Sequence, residues 1–310
     1  MAYNWLSDLN PALKAQELWY NGQYQQEGFF HLTYRTHQPL AIACGAALLA
    51  DHVRTFRFSP DVITRLGQAA SPQGQGLFSE SFLNHLQRLK LRVSIWAPAE
   101  GTLLLPGEPL LIVKGPLDQV QLLESALFVL VWRSAQWATR VASERWQHRD
   151  WQEEDTPPAP AITPDLDGWK TRAAYIGGAG ADHILDHLKT PMRPPQEGEG
   201  LIAAGGREAL TQIRRLYRGQ EAVGDVWLNE AQDLSASVSR STVRLADIRT
   251  GDNATLRFTR FQNLYQPVLV KGHPVLSSPR ISYLRQRTLK QLEAFHHQKL
   301  DEYPRGRMGN

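Results

Sequence analysis

Residues 98–124 read PAEGTLLLPGEPLLIVKGPLDQVQLLE. Two apolar runs flank Pro106-Gly107, a dipeptide that marks a turn. The preceding LRVSIWA, residues 91–97, alternates as a strand does. Together they predict a β-region that doubles back on itself. The pattern then changes period. From Asp118 to about residue 151 the chain has the longest helical pattern in the sequence. Asp118 can cap it and Glu124 lies early, where a carboxylate suits the helix dipole. Leu122, Leu123, Ala126, Leu127, Leu130 and Val131 give it a wide apolar face.

Upstream of this stretch, Asn10-Pro11 reads as a cap and first turn of a helix running to about Tyr20. Residues 28–35, GFFHLTYR, read as a strand. Helices are expected over residues 45–56, from Ser59-Pro60 to Gly67, and over residues 79–89. Downstream, residues 150–168 hold four prolines and six acids, a composition no core helix or central strand tolerates. Residues 190–200 form a second weak stretch. The island between them, residues 169–189, predicts one strand and one helix. Residues 213–228 predict a hairpin turning at Gly219. Further strands are expected at residues 243–251, in LRFTRF and in YQPVLV. An amphipathic helix from Arg280 ends in a polar tail. The expected organisation is an α/β front domain over 1–148, a linker over 149–168, a short unit over 169–230, and a closing segment over 231–310. No internal repeat is present.

Bulk properties narrow the class. The chain has 310 residues, 42% hydrophobic with nine Trp, so a core can form and compositional disorder is excluded for most of it. No run approaches the roughly 18 apolar residues of a membrane span. The first residues lack the basic-then-apolar pattern of a signal peptide. Cys44 is the single cysteine, which fits a reducing, cytoplasmic setting, and its Ala-rich surroundings mark it as a small buried hydrophobe. The net charge of +3, concentrated towards residues 280–307, is too mild and too poor in interleaved aromatics for a nucleic-acid surface, but suits an anionic small molecule.

The quoted stretch resembles the nicotinate phosphoribosyltransferase pattern "PEGT…PGEPLL…GPL" leading into a helix with "QLLE". The upstream order agrees, from Ser7-Asp8-Leu9 through Phe56-Arg57-Phe58-Ser59. Residues 172–178, RAAYIGG, resemble the family's stretch at the start of its barrel. Residues 214–226 and 266–291 resemble its late-barrel exit and its closing region more loosely. The resemblance implies an α/β (α+β-like) fold with one domain built from both chain ends beside a (β/α) barrel. Here only 35 residues, 179–213, separate YIGG from RRLYRG. One βαβ unit takes about 30. The resemblance therefore implies a truncated remnant of the barrel. The family's phosphorylated His, its acidic "DSGD"-type element and its glycine loop have no counterpart. Its "DLY" becomes Asp8-Leu9-Asn10, losing an aromatic that would stack on nicotinate, worth about 0.5–1.5 kcal/mol beyond burial.

Carried over residue by residue, the resemblance gives Asp8, Asn10, Arg172, Gly177 and Gly178 as substrate-binding candidates. Gly180, Arg214 and Arg215 are phosphate candidates. No catalytic residue and no metal ligand is assigned. Gly177, Gly178 and Gly180 suit either a phosphate cradle or a tight strand-to-helix turn. Gly205-Gly206-Arg207 is a second glycine cluster. His183 and His187 share a helix face with Asp182 and Asp186, as a metal site or as a solvated surface. Glu100, before the PGEP turn, and Glu108, within it, correspond to structural loop residues.

Two functions of different class follow. One is a pseudoenzyme of NAD salvage that keeps the two-ended domain and pairs with a second copy or a protein partner across the face the barrel covered. The other is an active enzyme making nicotinate mononucleotide from nicotinate and phosphoribosyl pyrophosphate, with Mg²⁺ and ATP and with sites completed in an oligomer. Removing one donor from an electrostatic site costs about 10²–10³ in rate, so losing most of a phosphate site favours the pseudoenzyme. Neither involves nucleic acid or membrane.

Overall fold

The structure is a computed structural model. It describes residues 9–34, 40–148, 166–178, 200–204, 212–229, 232, 241–248, 250–277, 279–296, 298, 300 and 302–308. Two six-stranded sheets and a helical layer make an α/β fold.

The first sheet takes strands from both ends of the chain. β1 (Glu27–Thr33), β3 (Ser94–Pro98) and β5 (Leu111–Pro116) come from the front. β12 (Tyr265–Val270) and β13 (His273–Pro274) come from the back, and β6 (Gly200–Ala203) forms one edge. Their order is β13-β12-β3-β5-β1-β6. The two-ended domain expected from the resemblance is thus realised in one hydrogen-bonded sheet, with Tyr265 opposite Pro98 and Leu269 opposite Ile95. The arch between β3 and β5 carries β4 (Leu103–Leu104), which pairs with β2 (Ala41–Ile42).

The long helix crosses this sheet in three sections: α5 (Leu117–Ala126), a π-helical turn (Leu127–Trp132) and α6 (Arg133–His148). Its expected apolar face is buried: Leu123, Ala126, Leu127, Leu130 and Val131 pack with Val93, Ile95, Ile112 and Val113 in one core. The π turn sets Phe128 on Trp132 at 4.6 Å between ring centroids, 16° from parallel, and Tyr34 meets Trp132 edge-on. α1 (Asn10–Tyr20), α3 (Pro60–Gln68) and α4 (Glu80–Gln87) form a second, helical core around Phe78, Phe82 and Leu86. Asn10 is the first residue of α1, not its side-chain cap. α2 (Ala46–Thr55) starts from Gly45.

The second sheet, in order β10-β9-β14-β8-β7-β11, comes from the back half. β7 (Gln212–Arg218) and β8 (Glu221–Leu228) are the expected hairpin, with Gly219 at φ +62° in its turn. β9 (Thr242–Asp247), β10 (Asn253–Arg257) and β11 (Arg260–Asn263) follow. β14 (Arg305–Met308) lies antiparallel to β9 and parallel to β8. The polar tail expected after the terminal helix α8 (Ile281–His296) is therefore a central strand. Its RGRM sequence lacks apolar alternation, and Gly306 explains the position. A Cβ there would meet the Ala246 carbonyl oxygen at 1.8 Å, so only glycine admits the neighbouring strand.

One further expectation is corrected. The strand placed in the island is a helix, α7 (Leu166–Ile176), which includes RAAYI. Ala173 and Ala174 are fully buried against Ala138, Val141 and Ala142 of α6. Small side chains let the two helices approach, and tertiary packing overrides the local pattern. Among the described residues no parallel βαβ unit occurs, and no helix is long and apolar enough to cross a membrane.

Gly45 sits where α2, the π turn and the arch converge. Its φ is +99°, and a Cβ would lie 1.9 Å from the Leu130 carbonyl oxygen. Gly45→Ala should cost about 2–4 kcal/mol by urea unfolding, since strain and overlap add. Gly74 has φ +82° but open space around it, so Gly74→Ala should cost only about 1–2 kcal/mol. Equal costs would show that contact with the π turn contributes nothing.

Candidate functional site

The arch between β3 and β5 turns sharply inside the protein, so backbone groups left over from the β4–β2 pairing need other partners. The back half of the chain provides them. Arg287 Nη1 donates to the Glu100 carbonyl at 2.8 Å, and Thr288 Oγ1 to that of Gly101 at 3.2 Å. Gln291 Oε1 accepts from the Leu103 amide at 2.9 Å. Arg215 Nη1 donates to the Leu103 carbonyl at 3.1 Å, Arg305 Nη1 to that of Pro106 at 2.8 Å, and the Tyr265 hydroxyl to that of Pro109 at 2.6 Å.

Each end of the arch also carries a buried carboxylate. Glu100 is paired with Arg172 of α7 in a two-pronged contact, Nη1 to Oε1 at 3.0 Å and Nη2 to Oε2 at 2.5 Å. Its Oε1 also accepts from the Gly45 amide. Burial alone would lower the Arg172 pKa, but the Glu100 charge and its hydrogen bonds outweigh that and hold it above the ordinary arginine value. Cys44 lies beside this pair, its Sγ 3.9 Å from Arg172 Nη1. Burial first, and Glu100 second, push its thiol up to about 12, so Cys44 is a neutral buried group as its surroundings in the sequence suggested.

The other end is built on Arg215, 1% exposed. Its Nε and Nη2 donate to the two oxygens of Asp225 at 2.9 and 2.8 Å. Glu108 Oε2 lies 3.8 Å from Nη2 and accepts from the Leu105 amide at 2.9 Å. Tyr303 donates to Asp225 Oδ1 at 3.3 Å, and the Phe295 ring covers the guanidinium at 4.9 Å. One cation faces two carboxylates here. Burial, then the Asp225 charge, raise the Glu108 carboxyl well above the usual range, and Arg215 offsets this only partly. Glu108 is therefore harder to ionise than an ordinary glutamate, and a proton on it would leave one balanced Arg215–Asp225 pair. Burial likewise raises the phenols of Tyr265 and Tyr303, keeping both as neutral donors.

The residues singled out in the sequence are distributed as follows. Asp8, Gly180, Asp182, His183, Asp186, His187, Gly205, Gly206 and Arg207 lie outside the described residues. Asn10 is exposed on α1. Gly177 and Gly178 form a tight turn, but at the C-terminal end of a helix instead of between a strand and a helix N-terminus. A Cβ on Gly177 would meet the Ala138 carbonyl at 2.4 Å; Gly178 has φ +102°, and its carbonyl accepts from Arg145 Nε. Arg214 and Arg215 point to opposite faces of β7. Arg214 donates to Asn263 Oδ1 at 2.9 Å and stacks on Phe261, while Arg215 enters the core. Arg172 and Arg215 thus reach the same arch at opposite ends, each spent on a carboxylate. Asp225, Tyr303, Thr288 and Gln291 were not singled out. The available signal was the pair of acids, Glu100 and Glu108, in an otherwise apolar arch: buried carboxylates demand partners.

The nicotinate phosphoribosyltransferase N-terminal domain model matches residues 6–132. Over these residues the chain is similar to the N-terminal domain of nicotinate phosphoribosyltransferases. The enzyme of Bos taurus is 35% identical over 144 residues, 45% of this chain and 26% of that protein. The enzyme of Bacillus subtilis is 26% identical over 178 residues, 56% of this chain and 35% of that protein. The chain thus spans about a quarter to a third of the length of these relatives. The fold likeness runs further. The crystal structure of human nicotinic acid phosphoribosyltransferase superposes with a TM-score of 0.71 at 16% identity, covering 97% of both chains. Nicotinate-nucleotide pyrophosphorylase from Pyrococcus furiosus gives 0.53 at 12% identity, covering 93% of this chain. Sequence similarity is concentrated at the front, where the arch lies, while the fold is shared to the back.

Removing one partner of a buried pair strands the other. Arg172→Met should cost about 3–5 kcal/mol, and the double variant Glu100→Leu/Arg172→Met should cost less than Arg172→Met alone. A double variant as unstable as the sum of the single ones would show that the pair is not coupled.

Glu108 also sets a pH dependence. Its native pKa lies above its unfolded value, so its contribution is complete below the ordinary glutamate value and is lost as pH rises through the native pKa. Urea unfolding from about pH 5 to about pH 9 should show the native protein losing stability relative to Glu108→Gln. Parallel curves would contradict a raised Glu108 pKa.

Proposed function

We propose that this chain is a non-catalytic nicotinate phosphoribosyltransferase-like subunit of NAD salvage, which acts in the cytoplasm by pairing with a second copy or a protein partner. The observation that carries this is the state of Arg172 and Arg215. Both correspond to candidate ligand-binding positions, and both have their guanidinium groups engaged by buried carboxylates, Arg215 also by a backbone carbonyl. Capturing a pyrophosphate would require each to abandon a partner that would then be buried and unpaired, at a cost of several kcal/mol. The separation of only 35 residues between YIGG and RRLYRG supports a truncated barrel.

Phosphoribosyl transfer in the family uses Mg²⁺, with ATP coupled to it. Among the described residues no group of three or more His, Cys, Asp or Glu side chains could hold a metal ion.

The test is release of pyrophosphate from phosphoribosyl pyrophosphate, dependent on nicotinate, with Mg²⁺ and ATP present. No release above the protein-free rate is expected. Turnover near the usual enzyme range, about 1 s⁻¹ or more, would establish the active enzyme instead. Light scattering should give a mass above the 35.0 kDa of one chain, either alone or with the partner added.

A further inference from the structure

A groove of about 460 Å³ opens on the helical front of the molecule, away from the arch arginines. Its wall is aromatic. Trp19, near the end of α1, stacks on His85 of α4 at 4.2 Å between ring centroids and 30° from parallel. Tyr24 braces both rings, at 4.4 Å from Trp19 and edge-on to His85 at 5.4 Å. His85 is held from behind by Asp118, Nε2 to Oδ2 at 2.9 Å, and Asp118 is 1% exposed.

Its rim is cationic. Arg88, Lys90 and Arg92 all line the groove, and among the described residues that line it none is a carboxylate. Among the described residues none of these three side chains enters an ion pair. The chain that carries them is fixed from below. The buried amide of Gln119 accepts from the Arg92 backbone N–H at 2.6 Å and donates to the Lys90 carbonyl at 3.2 Å. Three exposed cations concentrated at one groove repel one another, so a bound anion relieves that repulsion. The built features are thus a braced ring stack, a clamped backbone and a set of unpaired cations around one cavity of ligand size.

We propose that this groove binds a nucleoside monophosphate, with the base against the Trp19–His85 stack and the phosphate at Arg88, Lys90 and Arg92. A flat ring beside a dianion satisfies both halves of the groove. A simple inorganic anion would use only the rim. The site is made from α1, α4 and the start of α5, so it stands whether or not the chain turns over phosphoribosyl pyrophosphate.

Isothermal titration of the full chain with AMP, inorganic phosphate and a short single-stranded RNA tests it. AMP should bind in the sub-millimolar range and phosphate at least about tenfold more weakly, since stacking a base is worth about 1–3 kcal/mol. The triple variant Arg88→Gln/Lys90→Gln/Arg92→Gln alters exposed side chains only and should abolish AMP binding while leaving the unfolding midpoint unchanged. Trp19→Leu should weaken AMP but not phosphate. Absence of AMP binding at millimolar concentration, binding that survives the triple variant, phosphate as tight as AMP, or RNA tighter than AMP would each overturn the proposal.

Discussion

The fold depends on one buried cation. Arg215 reaches from β7 into the concave side of the arch, where it holds Asp225 with two N–H groups and the Leu103 carbonyl with a third. An arch that turns inside a protein leaves carbonyls and amides without sheet partners, and each unpaired buried group costs about 1–3 kcal/mol. Arg215, Gln291, Thr288, Arg287, Arg305 and Tyr265 satisfy them from the other half of the chain. The front domain and the back half are therefore joined by more than apolar contact. Without the back half, the arch would have to find water or unfold.

This constraint also shapes what the molecule can do. A guanidinium in water can capture a phosphate; one that is almost fully buried and already paired with a carboxylate cannot do so without stranding its partner. The raised pKa of Glu108 belongs to the same logic. Two carboxylates against one arginine would leave a net buried charge, and a proton on Glu108 removes it. The ion-pair system is closed, suited to fixing a surface in place.

Much of the front was legible in the sequence because its signals are local. Apolar alternation, the Pro106-Gly107 turn and the 3.6-residue period after Asp118 each specify structure within a few residues. The hairpin at Gly219 was legible for the same reason. What escaped was set by distant contacts. RAAYI forms a helix because small Ala side chains meet small Ala side chains on α6, and β14 is a strand because Gly306 admits a neighbouring backbone. The ion pairs join residues far apart in the chain: Glu100 and Arg172 are 72 positions apart, and Arg215 and the Leu103 carbonyl 112. The acids in the arch announced that partners were needed, but a sequence does not name partners at that range. Nor did the cations at Arg88, Lys90 and Arg92 stand out, since only the folding of α1 beside α4 sets an aromatic wall next to them.

The central claim is that the back half of the chain locks the arch. Native-state hydrogen exchange of the arch amides tests it most directly. The Leu103 and Leu105 amides, which donate to Gln291 and Glu108, should open only with global unfolding, at the same free energy as the Arg214 and Leu216 amides in the β7–β8 hairpin. Exchange of Leu103 and Leu105 through a much cheaper local opening, with the hairpin still protected, would contradict it.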